Sequence, residues 1–72
     1  MMTKAEAEQE VIRRFNLLAE HERETYEQAD AYAVRLAEDI HFESFMDRRR
    51  LIAAWMIREI SRSRGKWEAY AA

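Results

Sequence analysis

The stretch DRRRLIAAWMIREISRSRGKW, from Asp47 to Trp67, decides how the chain is read. It carries seven Lys and Arg side chains against two carboxylates, and six large apolar side chains between Leu51 and Ile60. It is either a basic handle or a core helix with charged ends. A helical wheel from Leu51 separates the two. Leu51, Ile52, Trp55, Met56, Ile57 and Ile60 spread over about two-thirds of the circumference, whereas a helix packed on one side needs an apolar arc of little more than about 100°. The middle of the stretch is therefore core, covered on two sides, and the excess arc points to a subunit interface. Burying each of these side chains contributes roughly 1.5–3 kcal/mol.

The ends of the stretch carry the charge. Asp47 or Ser44 can cap a helix over residues 47–64, and Gly65 stands where a terminating left-handed residue belongs. Residues 65–72 then form a tail with Trp67 and Tyr70. Arg58, Arg62, Arg64 and Lys66 fall near the helix C-terminus, where the macrodipole favours cations. Arg48, Arg49 and Arg50 fall at the other end, where it disfavours them, so they need ion pairs with the acidic first helix, an acidic partner, or phosphate. Glu59 lies inside the apolar arc and must reach an edge, pair with an arginine such as Arg48 or Arg62, or contact a partner, because an unpaired buried carboxylate is costly.

Upstream of this helix the chain has no proline, no glycine and no period-two strand pattern, so the fold class is all-α. Thr3 and Glu6 have the spacing of a capping box. Ile12, Phe15, Ala19, Glu22, Tyr26, Ala29, Ala33, Leu36 and Ile40 then follow with alternating steps of three and four. Such a heptad seam predicts one long helix over 4–42, roughly 58 Å at about 1.5 Å per residue. The alternative is a break near residues 20–25, where Thr25 and Gln28 could form a second capping box. The expected architecture is a single domain over 1–72, a helical hairpin or three-helix arrangement with a long first helix, completed as a homodimer. Its core or dimer residues are Phe15, Leu36, Ile40, Leu51, Ile52, Trp55, Met56 and Ile60.

Composition narrows the function. Seventy-two residues allow one small domain of marginal stability as a monomer. The absence of cysteine excludes disulfides and thiolate metal sites and fits the cytoplasm. The N-terminal MMTKAEAEQE lacks a signal peptide's apolar run, and LIAAWMI is too short to cross a bilayer. The net charge of −2 argues against a dedicated nucleic-acid binder, although residues 1–47 carry −7 and residues 48–72 carry +5.

Three chemical readings fail on spacing. A helix-turn-helix over Leu36–Glu43 would need apolar residues at Asp47 and Arg50. Glu38-Asp39-Ile40-His41 matches the Glu-x-x-His of di-iron bundles, but in one copy and facing away from the seam. No phosphate loop or nucleophile motif is present. The expectation is a non-enzymatic protein-interaction module without cofactor or metal: an adaptor, inhibitor or regulator of a larger protein. Its candidate partner-binding residues are Arg48, Arg49, Arg50, Arg58, Arg62, Trp67 and Tyr70. The alternative is a nucleic-acid-binding regulator using the arginines of the last helix, with Arg64 and Lys66.

Overall fold

The acidic stretch between residues 17 and 25 is where the chain turns. In the computed structural model, which describes the backbone of residues 1–71 and the side chains of residues 1–62, α1 spans Lys4–Asn16, α2 Tyr26–Asp39 and α3 Arg48–Ala71. A single 3-10 turn, Glu20–Glu22, lies between α1 and α2. Among the described residues the protein is all-helical, with three α-helices.

The long first helix predicted over 4–42 is thus two helices. The N–H groups of Leu17 and Leu18 donate three residues back, to Arg14 and Phe15, tightening the end of α1. Ala19 is extended. Thr25 is extended too, and it forms the second capping box: its hydroxyl accepts from Gln28 N–H at 3.1 Å. The Gln28 amide oxygen accepts from the N–H of Glu24 and Thr25 at 2.8 and 3.0 Å, while its nitrogen donates to the His21 carbonyl at 2.7 Å. One side chain therefore supplies three backbone groups that a continuous helix would have satisfied internally. The charges favour the same outcome, because Glu20 and Glu24 would stand one turn apart on a continuous helix and repel. The common heptad phase across the break is coincidental: Ala19 and Tyr26, two of its seam positions, are exposed.

Ala7, Val11 and Phe15 form the buried face of α1, with Ile12 and Leu18 at its edge. Ala29, Ala33, Leu36 and Ile40 form that of α2 and its cap. The two alanines bring α2 close to α3, as small residues in a helix row do. Leu51, Ile52, Trp55, Met56 and Ile60 of α3 are buried against both neighbours, and Ile52 and Met56 are fully enclosed. The wide apolar arc is therefore covered on two sides within one chain, by α1 and α2. This removes the reason for assigning the excess to a subunit interface.

The α2–α3 connection adds an element that periodicity does not reveal. Phe42 is buried, its ring centroid 5.5 Å from that of Trp55. Met2 pairs with Phe42 in an isolated parallel bridge, and its N–H donates to the His41 carbonyl at 3.1 Å. Asp47 caps α3 by accepting from Arg49 N–H at 2.9 Å, while Ser44 accepts from Met46 N–H within the turn.

α3 does not stop at Gly65 but continues to Ala71. One glycine costs a helix only about 1 kcal/mol relative to alanine, and no proline follows to enforce a stop. Trp67 and Tyr70 thus belong to the helix backbone rather than to a separate tail; their side chains lie outside the described residues.

Met56→Ala should lower stability by about 2–5 kcal/mol. That is a large part of the stability available to so small a domain, so helical circular dichroism in urea should show a sharply reduced midpoint. Ala54→Ser, on the exposed side of the same helix, should cost only the roughly 0.5 kcal/mol by which serine is the poorer helix former. Thr25→Ala should cost about 1 kcal/mol through the lost cap, read in the same titration.

Candidate interaction surface

The five described arginines of α3 do not form one face. Arg58 turns to α1 and meets Glu8 at 3.2 Å. Arg62 pairs with Glu59 of its own helix at 3.1 Å, which answers the need of that half-buried carboxylate. Arg48 reaches back to the connection and donates to His41 Nδ1 at 2.6 Å. Of these five, Arg49 and Arg50 alone are exposed and without a side-chain partner.

The ion pairs expected between Arg48–Arg50 and the acidic first helix are absent among the described residues. The carboxylates of α1 are engaged elsewhere. Glu6 closes the first capping box, and hydrogen bonding from Thr3, first through its backbone N–H, holds the Glu6 carboxyl below the ordinary range. Glu8 takes Arg58. Glu10 accepts from Arg13 and Arg14, and these hydrogen bonds lower its carboxyl to about 2. Arg14 also approaches Asp39 at 3.6 Å, linking α1 to the end of α2.

Arg49 and Arg50 share a groove of about 440 Å³ with Asp30, Ala31 and Val34 of α2 and Ala53 of α3. The small alanines lower its floor, and Val34 stands exposed beside them. Two guanidinium groups against one carboxylate leave the groove positive. α2 runs antiparallel to α3: its start meets α3 through Tyr26 and Ser61 hydroxyls 3.2 Å apart, and its end lies beside Arg48. The groove therefore runs lengthwise between two helices.

The Glu-x-x-His spacing of Glu38 and His41 has a structural use. His41 Nε2 lies 3.0 Å from the Glu38 carbonyl, and Nδ1 receives Arg48. A neutral ring donating through Nε2 and accepting through Nδ1 satisfies both contacts, which leaves neither nitrogen free as a ligand. Among the described residues no three His, Asp or Glu side chains gather as a metal site. No described helix is long and apolar enough to cross a membrane.

A second surface lies at the α2–α3 connection. Lys4, Phe42, Glu43, Ser44, Phe45, Met46 and Arg48 line a groove of about 870 Å³. Phe45 is fully exposed, as are Met1 and most of Met46. The sequence offered one signal for this surface: two adjacent large apolar residues inside a turn, where core burial of both is geometrically awkward. No protein family, curated protein or solved structure matches the chain.

The Glu10 cluster gives stability a definite pH dependence. Its folded carboxyl lies below the ordinary value of 4.5, so its contribution is complete above that value and disappears as pH falls through about 2. Glu10→Gln should lower the urea midpoint at pH 7, and the difference from wild type should close progressively between pH 4.5 and about 2.

Proposed function

We propose that the protein is a non-enzymatic interaction module that receives an acidic, amphipathic helix of a larger protein in the groove between α2 and α3. The observation that carries this reading is the pair Arg49 and Arg50. They are exposed, unneutralised, and aligned beside an apolar floor of Ala31, Val34 and Ala53. An amphipathic helix laid in such a groove buries its apolar stripe on the alanines and Val34 and sets its carboxylates against the guanidinium groups. Charge complementarity of this kind gives specificity and speeds association. Modulation of the larger protein, as adaptor, inhibitor or regulator, follows from occupying its helix.

Protein is favoured over nucleic acid by the distribution of cations. Arg58 and Arg62 are neutralised by Glu8 and Glu59, and Arg48 faces the connection. A phosphate backbone needs a continuous track of free cations, and the described arginines are split among three directions. The wide apolar arc from which the sequence pointed to a subunit interface is covered within one chain by α1 and α2. The reading therefore rests on the surface of the monomer.

Panning the folded protein against a displayed library of helical peptides tests the proposal. Enriched peptides should carry apolar residues at helical spacing flanked by Asp or Glu. The double reversal Arg49→Glu/Arg50→Glu should weaken their binding by at least about tenfold, or roughly 1.4 kcal/mol, without changing helix content. Enrichment of peptides indifferent to that reversal would place the docking site elsewhere. Salt-sensitive binding of a DNA duplex with no peptide enrichment would replace this reading with the nucleic-acid one.

A further inference from the structure

We infer that the surface at the α2–α3 connection is a self-association site, and that its occupant is a second copy of this chain related by a two-fold axis. The apolar part is exposed and contiguous. Phe45 has no cover at all, and Met1 and Met46 are 89% and 55% exposed. Met2 sits beside them through its backbone bridge to Phe42. These side chains come from two segments far apart in sequence, and the fold delivers both to one end of the molecule.

The charges identify the occupant. Lys4 and Glu43 line the same groove, yet neither forms an ion pair among the described residues. A surface holding unpaired charges of both signs is complementary to itself. In a two-fold contact each surface meets its own copy, so residue i faces residue j while j faces i. Glu43 of each copy then faces Lys4 of the other, and Phe45 of each enters the groove floored by Phe42 of the other. The groove volume exceeds that of a phenylalanine side chain. A purely acidic or purely basic partner would satisfy one of these charges and leave the other desolvated and unmatched.

The make-up of the surface sets the class of interface. A few large apolar side chains rimmed by charges place the interface at the low end for specific association, below roughly 1,200 Å² in total. Contacts of that size belong to weak, reversible encounters. This site is distinct from the groove of Arg49 and Arg50, and either proposal can fail without the other.

Sedimentation equilibrium across the micromolar range tests the inference. The wild-type chain should pass from monomer to dimer and no further, because a two-fold contact closes on itself. Phe45→Ser should weaken dimerisation by at least about tenfold, with helical circular dichroism unchanged. The decisive experiment uses two exposed single reversals, Glu43→Lys and Lys4→Glu. Each alone places like charges across the two-fold and should be monomeric. Mixed in equal amounts they should form a heterodimer, since each copy then presents what the other lacks. A wild-type chain that stays monomeric throughout would overturn the inference. So would a dimer insensitive to Phe45→Ser, or a mixture no better associated than either variant alone.

Discussion

The width of the apolar arc on α3 governs the rest of the molecule. One helix cannot cover two-thirds of the circumference of another, so two must. A chain of this length can supply both only by turning back on itself between them. The turn at residues 17–25 is therefore not an incidental irregularity. It is the condition under which Ile52 and Met56 leave water completely while α1 and α2 each contribute only a narrow stripe, Ala7, Val11 and Phe15 on one and Ala29, Ala33 and Leu36 on the other. The hydrophobic effect sets the requirement, and local chemistry at Thr25 and Gln28 makes the turn that meets it.

The same arrangement distributes the charge. Every acidic residue of α1 that lies near a helix neighbour is taken up, by the first cap, by Arg58, or by Arg13 and Arg14. Exposed ion pairs of this sort contribute little to net stability individually. They do decide which cations are left over. Arg49 and Arg50 are among them, because the carboxylates of α1 are taken up by other partners and Asp30, the one carboxylate in their groove, forms no ion pair with either. The functional proposal thus descends from the packing.

Much of this was legible in the sequence, and the failures have physical causes. The breadth of the arc from Leu51 to Ile60, both capping boxes and the role of Asp47 could be read from residue type and spacing. The fate of the acidic stretch could not be read from period alone. Ala19 and Tyr26 keep a heptad phase that the fold does not use, since both are exposed while α1 turns Ala7, Val11 and Phe15 inward with Ile12 at the edge. Periodicity reports amphipathicity, not continuity, and the hydrogen bonds of Gln28 that end the helix leave no periodic trace. Gly65 misled in the opposite sense: a residue that permits a stop does not impose one. The groove of Arg49 and Arg50 needed Val34 and Asp30 from another helix, which no local pattern could bring together. Phe45 and Met46 lie between the helices expected over 4–42 and 47–64, and a connecting segment says nothing about what its side chains face.

The bridge between Met2 and Phe42 closes a loop of about forty residues, and the entropy of that closure is supplied by the rest of the fold. It also makes the groove at that end a composite. Lys4 belongs to α1, whereas Glu43, Phe45 and Met46 belong to the α2–α3 connection. If α1 swings away, the groove ceases to exist as a single surface. Anything that grips both sides at once binds only the closed form, so its binding energy adds to the free energy holding α1 in place. Occupancy of that groove and docking of the first helix are thermodynamically one equilibrium, and a ligand there would act on the fold as a clasp.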